Sequence, residues 1–315
     1  MKRLLSVFST ALISFVLLAG FVSPVAFAAG KPTRILVTTF PIFQITRNII
    51  GGQPSVVAVP MLSSATGCPH DYVLTPRDME KIAKADILVI NGLGLEEFMG
   101  APLKKANPAL KIIDSSQGIG NLLPYEEMET DAHGHHHHHS GPNPHLFASP
   151  KMVALITMNI ATALSAMDPS GASVYMANAQ NYAAKMNGLA DKFVALGPTL
   201  KNNRIVTQHG VFDYLARDMG LSVVAVIAEH AGTEPSAADM LHIVSTIKTK
   251  KPGVLFTEPQ YPQKTAQALS RETGIPVATL DPVATGPENA PLNYYETIMD
   301  KNLMTLTKYL GAGSR

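Results

Sequence analysis

Apolar residues fall along this chain in two alternating rhythms. Short aliphatic, β-branched runs occur at RILVTTF (34–40), SVVAVPML (55–62), DILVING (86–92) and KIIDSS (111–116). Between them the polar and apolar residues take helical spacing. QITRNIIGGQ (44–53) reads as a helix closed by glycines, TPRDMEKIAKA (75–85) as one started by Thr-Pro, and EEFMGAPLKKA (96–106) as a third. Strands alternating with helices, without hairpin turns between them, predict βαβ units and a parallel sheet.

A second kind of text begins at Ser149-Pro150. KMVALITMNIATALSAM (151–167) predicts a helix closed by Asp168-Pro169. Ser170 to Leu196 then runs without a proline. Tyr175, Tyr182, Leu189 and Leu196 recur every seven residues, as do Ala179, Met186 and Phe193. That stripe predicts one amphipathic helix about 40 Å long, enough to cross both halves of the molecule. The competing reading breaks it into two helices at Gly188. The strand text then restarts at RIVTQHG (204–210), SVVAVIA (222–228), GVLFTEPQ (253–260) and PVATLDPV (276–283). VFDYLARDMG, PSAADMLHIVSTIKTK and QKTAQALSRETG are the helices between them. The expected architecture is α/β: two lobes, 29–168 and 199–315, each a four-stranded, mostly parallel sheet flanked by helices, joined by one long helix at 169–198. No element is assigned beyond Val283.

The N-terminus changes the picture of where the protein works. Lys2 and Arg3 precede an apolar run from Leu4 to Val22, and Ala26-Phe27-Ala28 supplies a small-residue cleavage site. Residues 1–28 therefore read as a cleaved signal peptide, and the mature protein as exported and periplasmic. No cysteine follows the apolar run, so no lipid anchor is expected. Removing 1–28 takes two of the 25 basic residues and none of the 24 acidic ones, leaving a net charge of −1. Such a balance, with no basic block, gives no electrostatic case for nucleic acid or an anionic membrane as partner. Cys68 is the only cysteine, which excludes an internal disulfide.

Candidate chemistry centres on histidine. The stretch 131–141 holds six histidines within seven residues, His133, His135, His136, His137, His138 and His139. Neutral imidazole is a borderline metal ligand that needs no thiolate. The run is low in complexity and reads as a flexible, auxiliary metal-capturing loop. His145 differs, because an Asn-Pro-His turn holds it. In parallel α/β sheets ligands bind beyond the carboxyl ends of strands, and three polar residues fall there: His70 after 55–62, His209 at the end of 204–207, and Asp281 at the end of 276–280. His70, His145, His209 and Asp281 together suit tetrahedral Zn2+, or Mn2+ or Fe2+ at higher coordination. Each residue alone reads first as an ordinary surface or hydrogen-bonded side chain, and Asp281-Pro282 as a common turn. His230, beside Glu229, is a lesser candidate. His242 reads as structural, Cys68 as a bystander thiol, and Glu234 as a helix N-terminal group.

Four ordered motifs carry a family resemblance. GCPHDYVLTPRDMEKIAKADILVINGLGLEEF, NPHLFASP, HGVFDYLARDMGL and EPSAADM…FTEPQ…LDPVATG resemble, from about residue 33 to the C-terminus, the metal-binding receptors of ABC transporters. The resemblance implies two α/β lobes on a rigid long helix, one ion in the cleft, and His70, His145, His209 and Asp281 as its ligands. Three histidines and a histidine-rich loop resemble the zinc receptors, where manganese members tend to place glutamate at the third position. Cys68 stands where the family commonly has Asp, and Phe147-Ala148-Ser149-Pro150 where it usually has Trp-Leu-Asp-Pro, which alters the surroundings of the ligands. The expectation is a monomeric, non-enzymatic Zn2+ receptor serving an inner-membrane ABC permease. The alternatives are a Mn2+ or Fe2+ receptor, a zinc hydrolase, and a storage or adhesion protein that works through the histidine loop.

Overall fold

Side chains on parallel strands are covered on both faces, so such strands are apolar throughout rather than alternating. Ile35, Leu36 and Val37 satisfy that rule in full, all being buried. The computed structural model describes residues 31–67, 69, 72–130, 136–228 and 234–311, without the side chains of Ala101, 126–130 and 136–140. Residues 1–28, Cys68, His70, His133, His135, Glu229 and His230 lie outside the described residues.

The N-terminal lobe contains β1 (Thr33–Val37), α1 (Phe40–Ile50), β2 (Val56–Pro60), α2 (Pro76–Ala83), β3 (Ile87–Ile90), α3 (Gly100–Ala106) and β4 (Lys111–Asp114). Its strands are all parallel in the order β2-β1-β3-β4, with Ile35 opposite Ala58 and Ile87. A hairpin follows, β5 (Pro124–Thr130) with β6 (His136–Pro142). Then come α4 (Pro150–Met167) and α5 (Ala172–Leu196). The C-terminal lobe contains β7 (Arg204–Thr207), α6 (Asp213–Met219), β8 (Ser222–Val226), α7 (Ala237–Lys250), β9 (Val254–Thr257), α8 (Lys264–Thr273), β10 (Val277–Thr279) and α9 (Tyr294–Leu310). Its sheet, β10-β9-β7-β8, is again wholly parallel. In each lobe the first strand lies between the second and the third, so the two lobes share one topology. Such an order creates a switch point between the first and third strands, where the loops diverge and ligands bind.

The two lobes and the long helix stand as the sequence predicts. Local chemistry sets their ends. Thr75 and Ser236 each cap a helix reciprocally with Asp78 and Asp239, and Ser149 accepts from the Met152 N–H ahead of α4. α5 is one uninterrupted helix of 25 residues that buries Tyr175, Ala179, Tyr182, Met186, Leu189 and Phe193, the predicted stripe. Near its start, Asn178 donates to the Ile49 carbonyl of α1; near its end, Lys192 pairs with Asp300 of α9. One apolar cluster runs from Ile35 and Ile49 through Tyr182 and Phe193 to Phe256 and Leu310, so both lobes share a core. Among the described residues α4 alone is long and apolar enough to cross a bilayer, and its Ile156, Ile160 and Leu164 are buried in that core instead.

Two elements differ from the sequence reading. The sequence reads 131–141 as a flexible loop, yet within its described part His136–Pro142 pairs antiparallel with Pro124–Thr130, which sets His139 opposite Glu127 and His137 opposite Glu129. α9 is also absent from that reading. Its buried Tyr295, Ile298, Met299, Asn302, Leu306 and Leu310 form a helical stripe, and Tyr295 donates from its hydroxyl to the Phe147 carbonyl at 2.9 Å. The segment leading to α9 straps the lobes together on one side. Gly286 N–H donates to the Ser64 carbonyl, and Arg47 and Asn48 donate to the carbonyls of Ala290 and Leu292.

Gly188 sits in mid-helix with open space where a Cβ would stand. Gly188→Ala is therefore expected to stabilise the protein by about 0.5–1 kcal/mol, read as a higher urea midpoint. Destabilisation would show that the helix does not continue through this position.

Candidate metal centre

The Asn143-Pro144-His145 turn enters the core directly after β6. His145 is fully buried. Asn143 Oδ1 accepts both the His145 backbone N–H and its ring Nδ1, each at 2.9 Å. The tautomer follows from the amide. Asn143 Nδ2 faces the Gly210 carbonyl at 2.8 Å and Asp213 Oδ2 at 3.0 Å, both acceptors, so the oxygen must face the ring and Nδ1 must carry the proton. The lone pair of that ring then lies on Nε2. Tyr214 donates to the Asn143 carbonyl, and Asn91, at the end of β3, donates to the Pro144 carbonyl at 2.9 Å.

His209 follows β7 and is equally buried. Its Nδ1 lies 2.5 Å from Glu258 Oε1, and Glu258 follows β9, the strand beside β7. A carboxylate accepts, so His209 also holds its proton on Nδ1 and its lone pair on Nε2. Gln260 donates to the other Glu258 oxygen at 2.8 Å. The pair sits at the switch point of the C-terminal sheet. Gly210 must be small, since a Cβ there would stand 2.8 Å from the Tyr125 ring.

The two imidazoles meet edge to face, their ring centres 5.1 Å apart at 82°. Tyr125 and Phe147 flank His145 at 5.4 and 5.8 Å, and Tyr261 flanks His209 at 6.0 Å. This aromatic wall keeps the pair out of bulk water. Asp281 follows β10 as expected. Asn302 of α9 clamps its backbone from both sides, accepting from the Asp281 N–H at 3.0 Å and donating to its carbonyl at 2.7 Å. Burial holds the Asp281 carboxyl above its ordinary range, and the Glu258 charge adds to that. Asp213 is pushed up to about 6 by burial, against the Asn143 hydrogen bond and His209. The region thus gathers acidic groups at an electrostatic cost that a cation would offset.

The structure therefore brings His145 and His209 together. His70 lies outside the described residues, and among those residues no group of three or more His, Cys, Asp or Glu side chains surrounds one point. His242 is exposed on α7. The sequence reading assigned no role to Glu258, Asn143 or Asp213, although Glu258 occupies the same kind of strand-end position that singled out His209.

At the matching switch point of the N-terminal sheet stands another residue without an assigned role. Glu96 is buried and accepts from Thr38 Oγ1 at 2.6 Å, Asn91 N–H at 2.7 Å and Gly92 N–H at 3.0 Å. Gly92 has φ +88° there, and a Cβ would meet Asp114 Oδ1 at 2.0 Å. Through Asn91 this knot reaches the Pro144 carbonyl and hence the His145 turn.

The profile of the family described as zinc-uptake complex component A, periplasmic, matches residues 35–309. The chain belongs to this family. The zinc-uptake component A family comprises metal-binding receptors of ABC transporters and not enzymes. The zinc-binding protein AdcA of Streptococcus pyogenes serotype M1 is 29% identical over 294 residues, 89% of this chain and 56% of AdcA, so the chain spans about half the length of that relative. The iron-binding protein YfeA of Yersinia pestis is 30% identical over 314 residues, 96% of each chain. The solved structure of the solute-binding protein FpvC from Pseudomonas aeruginosa in complex with Mn2+ superposes with a TM-score of 0.75 at 27% identity, covering 88% of this chain and 97% of that one.

Burial pushes Glu96 from 4.5 up to about 7, against three donors that favour its charge. Between those values the folded protein keeps a proton that the unfolded chain has lost, so stability falls as pH rises through the window, by about 3 kcal/mol in all. Urea midpoints of wild type and Glu96→Gln across pH 4.5–7.5 are expected to diverge, with the shallower decline in the variant. Parallel profiles would remove Glu96 as the cause.

Proposed function

We propose that this chain is an exported, monomeric receptor that captures one divalent transition-metal ion, Zn2+ before Mn2+ or Fe2+, and hands it to an inner-membrane ABC permease. The observation that carries this reading is the His145–His209 pair, two buried rings both protonated on Nδ1. Zinc bonds to imidazole at about 2.0–2.1 Å. Two rings held tetrahedrally on one ion then have centres roughly 5 Å apart, which matches the 5.1 Å found without an ion.

His70 and Asp281 complete the proposed ligand set. The segment leading to His70 supports its place. A side chain at Gly67 would meet the Tyr261 hydroxyl at 3.5 Å, and the Tyr261 ring packs against His209. Asp281 supplies the carboxylate that charge balance asks of a divalent site; the Asn302 clamp fixes its backbone, and the Val283 N–H donates to one carboxylate oxygen at 2.8 Å. Three imidazoles and one carboxylate favour Zn2+. His133, His135, His136, His137, His138 and His139 form an auxiliary capture segment rather than the tight site. Lys2, Arg3 and the apolar run after them support export through a cleaved 1–28 signal.

The second reading, Fe2+ or Mn2+ as cargo in the same site, draws on the full-length match to the iron-binding YfeA and on the Mn2+ complex of FpvC. Octahedral preference in either metal would recruit more oxygen ligands than this imidazole-rich set offers.

Elemental analysis of protein lacking 131–141 is expected to return one zinc per chain. His145→Ala and His209→Ala should each abolish that ion, and wild-type affinity should fall in acid, where protons compete with the ion for the imidazoles. Retention of one tight ion in either alanine variant rejects the ligand assignment. Iron or manganese in place of zinc establishes the second reading.

A further inference from the structure

A histidine can bind metal through either ring nitrogen, and the one it offers is decided by the bond the other makes. At His209 that partner is a direct carboxylate. At His145 it is an amide that does more. Asn143 is fully buried, and its side chain uses all its capacity: Oδ1 accepts the His145 N–H and Nδ1–H, while Nδ2 donates to the Gly210 carbonyl and to Asp213 Oδ2. The two acceptors belong to the C-terminal lobe, one of them the residue next to His209. We propose that Asn143, oriented by Asp213, is the positioning residue that fixes the tautomer and direction of the His145 ring and ties it to the backbone beside His209. This rests on the reading of His145 as a metal ligand.

The chemistry selects asparagine. A carboxylate at position 143 would keep an acceptor for the ring but would set oxygen against both the Gly210 carbonyl and Asp213. An alanine would leave the His145 N–H and Nδ1 without their acceptor. The alanine removes the contact that aims the ring, and the carboxylate loses the two bonds that fix the direction of that contact. Asp213 acts one step further out, because its oxygen makes the Asn143 amide unable to flip. Together they deliver an anion's influence to His145 at one remove, where Glu258 delivers it to His209 directly. The pair of rings is thus pre-set before any ion arrives.

The test uses the purified protein and Zn2+ alone. Long-range 1H–15N correlation of the metal-free protein at pH 8 is expected to show His145 protonated on Nδ1, and Asn143→Ala to shift it to a mixture of tautomers. Asn143→Ala should weaken Zn2+ binding by roughly 10- to 100-fold, measured against a chromophoric chelator, and Asp213→Asn by a smaller factor in the same direction. A wild-type His145 protonated on Nε2 overturns the proposal, as does Asn143→Ala binding within about twofold of wild type. Should Asn143→Ala fail to fold, the wild-type tautomer and Asp213→Asn decide: an unshifted tautomer with unchanged affinity in Asp213→Asn removes the relay. His145→Ala separates the two levels. Loss of the tight ion there with full binding in Asn143→Ala refutes the positioning role alone, whereas a tight ion surviving His145→Ala refutes the metal-centre reading beneath it.

Discussion

Two protons, one on Nδ1 of His145 and one on Nδ1 of His209, decide what this centre can do. Each is held by an acceptor that has no alternative: a carboxylate at Glu258 and an amide oxygen whose nitrogen is already committed at Asn143. Both rings consequently carry their lone pair on Nε2, and as the proposed ligands neither would need to change tautomer to bind an ion. Burial raises the worth of this arrangement, because in a site screened from water a misdirected ring would strand a polar atom with nothing to replace its partner. The Tyr125, Phe147 and Tyr261 rings packed against the pair contribute to that screening.

The fold provides the acceptors by repetition. Both sheets run in the same order, and each places a buried carboxylate at its switch point: Glu258 after β9, and Glu96 just beyond β3. The first grips a histidine directly. The second grips backbone, and its influence passes through Asn91 to the turn carrying His145. One topology thus holds a histidine ring in one lobe and builds a loop in the other.

Much of this was legible from the chain itself. The seven-residue recurrence of Tyr175, Tyr182 and Leu189 marks the face that α5 buries, and β-branched runs mark the strands, because a periodicity reports the environment of its own residues. His209 and Asp281 stood out through the rule that ligands gather beyond strand ends. What periodicity does not report is the partner. Asn143 looks like a turn residue and Asp213 like a helix-starting acid; only the topology brings them within 3.0 Å. The β5–β6 pairing was hidden by low complexity, since a run of one residue type carries no alternation to read. α9 has no counterpart in the sequence reading, although Tyr295, Ile298, Asn302 and Leu306 lie at helical spacing.

The apolar cluster that continues from Ile35 to Leu310 bears on how cargo would come and go. A hinge that parted the halves would have to expose some of that shared interior, at about 25 cal/mol for every Å2 of apolar surface wetted. Gly286 holding Ser64, and Tyr295 holding Phe147, would have to let go as well. Rearranging a loop or a few side chains at the rim disturbs none of these. Parting the halves would therefore cost this body more than a local rearrangement at the rim.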